Sequence, residues 1–330
     1  MKVAVVILNW NGAGLLRKFL PSVVQFSDEA TIYVADNAST DDSVLVLQSE
    51  FPSVKIIENK ANYGFAKGYN EALPFVDADV FALVNSDIEV TENWLQPIVE
   101  AFKNEPETAI IQPKILDYKN KDYFEYAGAA GGFIDKYGYP FCRGRIFDSI
   151  EKDERQYDDN CDIFWASGAC FFIRSSVFKT LNGFDADFFA HQEEIDLCWR
   201  AFNKGFRAKY IYGSKVYHVG GATLQQGNPQ KTFLNFRNSL WMLSKNLPKN
   251  QLIPVLFVRM ILDGIAAFQF LFKGKFSHFL AVAKAHLFFY LHFLSNFKKC
   301  DNQQKKRYFK VKSIVYSHFL SGISNFKNLF

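Results

Sequence analysis

The chain is predicted to be an α/β protein built on a mostly parallel sheet flanked by helices. Two observations carry that expectation. Over the first hundred residues, short β-branched runs alternate with apolar segments at helical spacing, the rhythm of βαβ units. Three of those runs end in, or are followed by, small clusters of carboxylates and amides, which is where an open α/β sheet places a ligand crevice. The composition, 49% hydrophobic and 22% charged over 330 residues, supports one large packed domain with an appendage.

The elements follow in order. Val3–Asn9 is a buried strand stopped by Asn-Gly, and Leu15–Phe26 carries apolar residues at helical spacing. Thr31–Ala35 is a second strand ending at Asp36. Ser39-Thr40-Asp41-Asp42 reads as a helix start, because acidic residues suit the positive N-terminus, and that helix runs to about Phe51. Val54–Ile57 is a third strand, Phe65–Phe75 a helix, Val80–Val84 a fourth strand ending in Asn85-Ser86-Asp87, and Glu92–Phe102 a helix. After Ile110–Ile115 the pattern loosens. The Gly- and aromatic-rich stretch Tyr123–Tyr139 reads as a loop or hairpin, and Lys152–Asp162 as a polar surface loop. Phe164–Arg174 regains strand character, Phe178–Leu181 is a short helix, Glu193–Lys204 a helix with acids at its start, and Ala208–Tyr212 a strand. Val216–Gly221 leads into a loop. Phe233–Leu247, Leu252–Phe272 and Phe276–Phe297 are helices. The boundary falls between a catalytic part, residues 1–230, and a helical, basic part, residues 231–330.

Charge is distributed unevenly. Residues 273–330 hold eleven Lys or Arg against one acid, Asp301, so the net charge of +4 hides a basic tail on a mildly acidic body. The five cysteines are scattered with no C-x-x-C pair, which fits reduced thiols in a cytosolic protein. The apolar run Val3–Leu8 is too short for a signal peptide, so the main domain is expected in the cytoplasm. No nucleic-acid-binding module is recognisable.

Several constellations point to chemistry. Asp87, just past the fourth strand, can bind Mg²⁺ or Mn²⁺ that bridges diphosphate oxygens; Asn85 and Ser86 precede it. The bland alternative is a capping Asp. Asp36 can accept hydrogen bonds from a ribose or base, with Asn9 and Asn11 beside it. The G-x-G-x-x-G fingerprint is absent from Asn-Trp-Asn-Gly-Ala-Gly, which argues against a dinucleotide enzyme. Glu193-Glu194-Ile195-Asp196 is the densest acidic cluster, and like charges raise the pKa of at least one member, as suits a general base. His218, in VYHVGG, is either a metal ligand, a phosphate contact or a structural histidine. Trp165, Phe188 and Phe189 are candidates to stack on a sugar face, with core packing as the competing role.

Taken together, VAVVILNWNG (3–12), VADNASTDDS (34–43), NYGFAKGYN (62–70), VNSDIEV (84–90) and HQEEIDLCWR (191–200) resemble the inverting family 2 glycosyltransferases with the GT-A fold, in particular bacterial rhamnosyltransferase-like members. The resemblance covers roughly residues 1–245. It implies a nucleotide-diphospho-sugar donor and a divalent cation, Mg²⁺ or Mn²⁺. It places Asp36 on the nucleoside, Asp87 at the metal-binding end of the D-x-D motif, Glu194 in the position of the catalytic base, and His218 on the metal. It also brings Asn37, Asn62, Lys67 and Asn70 into the nucleotide-sugar site. The chain departs from the family pattern at Asn85, the first D-x-D position, and by having Glu at the base position, where Glu193 competes with Glu194.

The function so implied is transfer of a sugar, with inversion, to a hydroxyl of a glycan or lipid-linked acceptor in cell-surface polysaccharide synthesis. A non-catalytic sugar-nucleotide-binding scaffold is the alternative. A nucleotidyltransferase is weaker, since the loop after the first strand has no basic residue before Arg17. In the last third, Arg259 and Asp263 interrupt the longest apolar run at an i,i+4 spacing. That pattern fits amphipathic helices lying on the cytoplasmic face of a bacterial inner membrane, with tail lysines at anionic headgroups.

Overall fold

A computed structural model describes residues 1–220, 227–300 and 304–330. Gly221 and Asp301 lie outside the described residues. The first half alternates as expected: β1 (Val3–Asn9), α1 (Ala13–Gln25), β2 (Ala30–Asp36), α2 (Ser43–Glu50), β3 (Lys55–Glu58), α3 (Gly64–Ala72), β4 (Val80–Asn85), β5 (Ile88–Val90), α4 (Gln96–Asn104) and β6 (Thr108–Asp117). Strands β1 to β4 are parallel, in the order β4-β1-β2-β3. Their faces alternate. Val3, Val5 and Ile7 enter the core under α1, α2 and α4, while Ala4 and Val6 enter the core under α3 and the C-terminal elements. Burial on both faces explains why β1, β2 and β4 read as unbroken apolar runs, whereas β3, at the sheet edge, is only partly buried. The Ser39–Asp42 stretch is a turn that leads directly into a helix, as expected, with Asp42 at its N-cap and Asp41 Oδ1 accepting from Ser43 N–H (3.0 Å). The turn's polar groups bond the loop after β1, and α2 begins at Ser43.

Beyond β6 come four short strands, β7 (Gly132–Ile134), β8 (Pro140–Cys142), β9 (Arg145–Ile146) and β10 (Ser149–Ile150), which form a separate antiparallel sheet. Then follow β11 (Cys161–Ile163), β12 (Cys170–Arg174), α5 (Ser175–Thr180), α6 (Glu193–Asn203) and β13 (Arg207–His218). The main sheet is mostly parallel, as expected, with β5, β11 and β12 running against the rest. β12 inserts antiparallel between β4 and β6, and β13 then runs parallel to β6. The run read as one strand over 164–174 is interrupted: its first half packs Trp165 into the core, and regular pairing starts at Cys170. Pairing direction is a tertiary property that an apolar run does not encode.

The last third comprises α7 (Pro229–Asn246), α8 (Lys249–Phe272), α9 (Phe276–Phe297) and the short α10 (Ile314–Phe319). These elements share the main core. Leu240, Trp241, Phe289, Ile314 and Phe326 are buried in the same cluster as β1 and α6. The chain end returns to the small sheet, where Lys310 N–H donates to Ile134 O (2.9 Å), Tyr308 Oη–H to Lys136 O (2.7 Å) and Ile314 N–H to Asp135 Oδ2 (3.0 Å).

Candidate active site

Register brings the polar strand ends together. Asn9 of β1 lies beside Asp36 of β2, and Leu8 beside Asn85 of β4, all at the carboxyl ends of parallel strands. The two loops are then stitched. Asn9 Nδ2 donates to Asp36 Oδ1 (3.0 Å), Ser39 Oγ–H and N–H donate to the same carboxylate (2.6 and 2.8 Å), and Thr40 N–H donates to Asn11 Oδ1 (2.7 Å). Asn9 Oδ1 is buried without a hydrogen-bond partner. A Cβ on Gly12 would sit 2.3 Å from that oxygen, so only glycine lets the chain pass beneath it.

The NYGFAKGYN segment forms a wall rather than a set of free donors. Asn37 Nδ2 donates to Asn62 Oδ1 (3.2 Å) and Gly64 O (3.0 Å), while its Oδ1 accepts from Asn59 Nδ2 (3.0 Å). Asn70 is bonded at both amide atoms to the backbone of Phe184 (2.7 and 2.9 Å). Asn37 and Asn70 therefore brace loops: Asn37 has both amide protons and its oxygen engaged, and Asn70 makes one bond at each amide atom. The Lys67 ammonium sits over the Tyr63 ring at 4.2 Å.

Asp87 and His218 meet as expected. His218 Nε2 is 3.1 Å from Asp87 Oδ1, and its Nδ1 is 3.2 Å from Glu125 Oε1; all three residues are buried. Asn85 Nδ2 is 3.5 Å from the same Nε2. Burial lowers the affinity of His218 for a proton, yet Glu125 and Asp87 push its pKa up to about 10. Burial also opposes ionisation of Asp87, but His218 holds its carboxyl below the usual range. A carboxylate and an imidazole whose second nitrogen faces another carboxylate is the donor chemistry that suits a divalent cation. No group of three or more His, Cys, Asp or Glu side chains suited to a metal ion occurs among the described residues. Oxygens of a diphosphate and water would therefore complete any coordination shell here.

Glu193 and Glu194 open α6. Burial raises the pKa of Glu194 to about 7, and burial with the neighbouring Glu194 and Asp196 raises that of Glu193 well above the usual range. The Glu194 carboxyl lies against Gly168, 3.7 Å from where a Cβ would stand. The backbone leading into α6 is strained, since Phe189, His191 and Gln192 all have positive φ (62°, 70° and 70°). Two clamps hold it. Phe189 O accepts from Phe65 N–H at the start of α3 (2.9 Å). From α7, Asn238 Nδ2 donates to Phe188 O, Ala190 O and His191 O (3.1, 2.9 and 2.7 Å). Asp196 anchors the helix itself. It is fully buried and accepts from Lys245 Nζ, Arg200 Nε and Asn246 Nδ2, each at 2.8 Å. Burial alone would neutralise Asp196, but Lys245 and Arg200 keep its carboxyl below the usual range.

These features are matched by known proteins. The family described as Glycosyl transferase family 2 matches residues 4–181. The chain belongs to that family. This family 2 glycosyltransferase is 25% identical over 234 residues to an N-acetylglucosaminyl-diphospho-decaprenol L-rhamnosyltransferase of Mycobacterium tuberculosis, a match covering 65% of the chain and 75% of the relative. It is 24% identical over 225 residues to the rhamnosyltransferase WbbL of Escherichia coli, covering 66% and 83%. The fold is GT-A. GalNAc-T7 with UDP, GalNAc and Mn²⁺ superposes with a TM-score of 0.59 at 16% identity, over 76% of this chain and 48% of that one. The mannosyltransferase PcManGT of Pyrobaculum calidifontis, with GDP-Man and Mn²⁺, gives 0.54 at 14% identity, over 88% and 75%.

Three aromatic assignments resolve differently in this glycosyltransferase. Trp165 is buried, and its Nε1–H donates to Phe133 O (2.8 Å) while Gly132 packs on its ring, so it is a core residue and not a sugar platform. Phe188 is also buried. Phe189 is half exposed, with its ring against Gly64. The sequence reading missed Glu125 behind His218, and Asn238, Lys245 and Asn246 behind the acidic helix. Asn238 and Lys245 are seven residues apart, two turns, in a helix whose second half is buried. Polar residues at that spacing along a helix were the available signal. Glu125 lies in an irregular loop and gave none.

Proposed function

We propose that the protein is an inverting, metal-dependent glycosyltransferase that moves a sugar from a nucleoside-diphosphate donor to a hydroxyl of a glycan or lipid-linked acceptor, at the cytoplasmic face of a membrane, in cell-surface polysaccharide synthesis. The observation that carries it is that Asn9, Asp36 and Asn85 stand side by side at the strand ends with Asp87 against His218, while Glu194 lies against Gly168, next to Ala169, whose carbonyl accepts from Asn85 N–H. The two rhamnosyltransferase relatives make a rhamnosyl nucleotide the first donor to test.

Asp36 and the stitched loops orient the nucleoside, with Asn85 and Ser86 lining the approach to the diphosphate. Asp87 and His218 would hold the cation, which when bound supplies positive charge to the leaving diphosphate. Glu194 accepts the proton of the acceptor hydroxyl as that oxygen bonds to the anomeric carbon from the face opposite the diphosphate. The anomeric C–O bond breaks, its electron pair stays on the departing nucleoside diphosphate, and the anomeric configuration inverts. Glu193, which is more deeply buried and bears the repulsion of Glu194, has its pKa raised well above the usual range and shapes the site. Residues 231–330 provide α7, whose Asn238 fixes the approach to the base, and a basic region that meets a membrane surface.

The test is release of nucleoside diphosphate from UDP-, dTDP- and GDP-sugars with Mg²⁺ or Mn²⁺, with membrane extract as acceptor source. Release from one donor that a chelator abolishes is the expected result. Release from none, with donor binding intact, would point to a binding scaffold instead.

A further inference from the structure

We propose that the outer face of the α8–α9 hairpin is a lipid-docking surface that inserts flat into the headgroup–acyl boundary of a bilayer, driven by apolar burial rather than by the basic tail. On α8, Ile253, Phe257, Ile261, Ile265, Phe268 and Phe272 repeat at three- and four-residue intervals and are all exposed, Phe272 at 87%. On α9, Phe276, Leu280, Leu287, Leu291 and Leu294 form a second exposed stripe, crossed once by the exposed Lys284, whose ammonium sits 5.3 Å from the Phe233 ring. The stripes meet where the helices touch, with the Phe268 and Phe279 rings 5.9 Å apart and Tyr290 Oη–H bonded to Met260 Sδ (3.3 Å). They form one largely apolar sheet of side chains about 28 Å long, a size that marks a membrane or partner site.

Three observations choose a bilayer, met side-on. First, α8 is long and apolar enough to cross a membrane, but its charged pair faces inward. Arg259 and Asp263 are buried, with Arg259 Nε donating to Asp263 Oδ1 (2.8 Å), the guanidinium 3.8 Å over the Tyr139 ring, and His286 Nε2 3.3 Å from Asp263 Oδ2. That cluster holds α8 along the catalytic body, so the helix lies on the protein and presents one face only. Second, residues 249–300 contain a single acid, the buried Asp263, whereas Lys273 and Lys275 stand exposed at the hairpin tip. A second copy docked through this face would oppose lysines with no acid to pair them, while phosphate headgroups suit them. Third, several tail cations are already engaged with the protein. Lys299 is 2.7 Å from both Asp185 and Asp187, and Lys305, Lys310 and Lys327 sit over Phe202, Phe133 and Tyr157. The apolar face is therefore the larger unsatisfied surface.

The proposal deepens the membrane-face reading above and rests on it only for the reason a bilayer is met. α9 packs along α7, which carries Asn238, so the docking face and the approach to the base share one rigid unit. The test is flotation of the full chain with phosphatidylcholine vesicles, with and without phosphatidylglycerol, comparing Phe257→Ser/Ile261→Ser/Ile265→Ser/Phe268→Ser with Lys298→Ser/Lys306→Ser/Arg307→Ser. The parent is expected to float with neutral vesicles, the apolar variant to lose at least about tenfold in partitioning, and the charge variant to match the parent on neutral vesicles. Light scattering and donor cleavage in detergent are read on the same samples. Flotation of the apolar variant like the parent, or of the parent only with anionic vesicles, overturns the proposal. So does a parent dimer that the apolar variant converts to monomer, which would make the face an interface between copies. Intact donor cleavage in the apolar variant keeps a failure here separate from a failure of the catalytic reading.

Discussion

Glu194→Gln should abolish turnover and, at neutral pH and above, stabilise the fold. Burial raises the Glu194 pKa from an ordinary 4.5 to about 7, so the folded protein binds a proton there that the unfolded chain has released. Between those two values the unfolded state holds fewer protons. Stability therefore falls as pH rises through that window, and above it the cost of the buried charge is fully present. Each pKa unit corresponds to about 1.4 kcal/mol, so the shift sets a ceiling of about 3 kcal/mol on what the neutral amide restores. Imperfect hydrogen bonding by Gln brings the expected gain to roughly 1–3 kcal/mol at pH 8, and to near zero at pH 4. Urea denaturation at both pH values measures this, with nucleoside diphosphate release as the parallel readout. Equal stability of variant and parent at both pH values, or retained turnover, would refute the assignment of Glu194 as a buried base. The same shift predicts an acid limb in the kcat/KM profile of the parent near pH 7, with activity rising as the glutamate ionises.

Other expectations follow from the same contacts. Lys245→Met removes the buried cation shared by Asp196 and Asp185 and should cost about 3–5 kcal/mol in a denaturant titration, because it strands buried carboxylates. Asn238→Ala frees the strained loop before α6; kcat should fall at least about tenfold while donor affinity, measured by titration calorimetry, is held. Trp165→Phe should lower stability by about 1–2 kcal/mol through the orphaned Phe133 carbonyl and leave the KM values for donor and acceptor unchanged, whereas a stacking role would raise one of them. His218→Ala should raise the Mn²⁺ concentration needed for half-maximal turnover by about tenfold or more, measured by metal titration of the chelated enzyme.

Much of this molecule was legible before its structure. β1, β2 and β4 announce themselves because strands buried on both faces are largely unbroken apolar runs, and their ends carry the polar residues that matter. The pairing of Asp87 with His218, 131 positions apart, was reached by resemblance, not by any local signal. What stayed hidden was tertiary. The antiparallel insertion of β12 depends on which edge is open when the chain returns, and nothing in Cys170–Arg174 records it. Asn37 and Asn70 read as ligand contacts because amides near a strand end serve loops and ligands equally well; only the geometry shows the loop bonds they make. In the tail, counting lysines locates charge but not its partners: the fold turns several of them onto carboxylates and rings and leaves the aliphatic side of the expected amphipathic helices outward.

The most direct test of the central claim is an anomalous difference map from crystals grown with Mn²⁺ and the nucleoside diphosphate that the enzyme releases. The account predicts one peak between the Asp87 carboxylate and His218 Nε2, with the nucleoside over Asp36 and the open side of the diphosphate facing Glu194. A nucleotide bound elsewhere, or a metal peak away from Asp87 and His218, would contradict it.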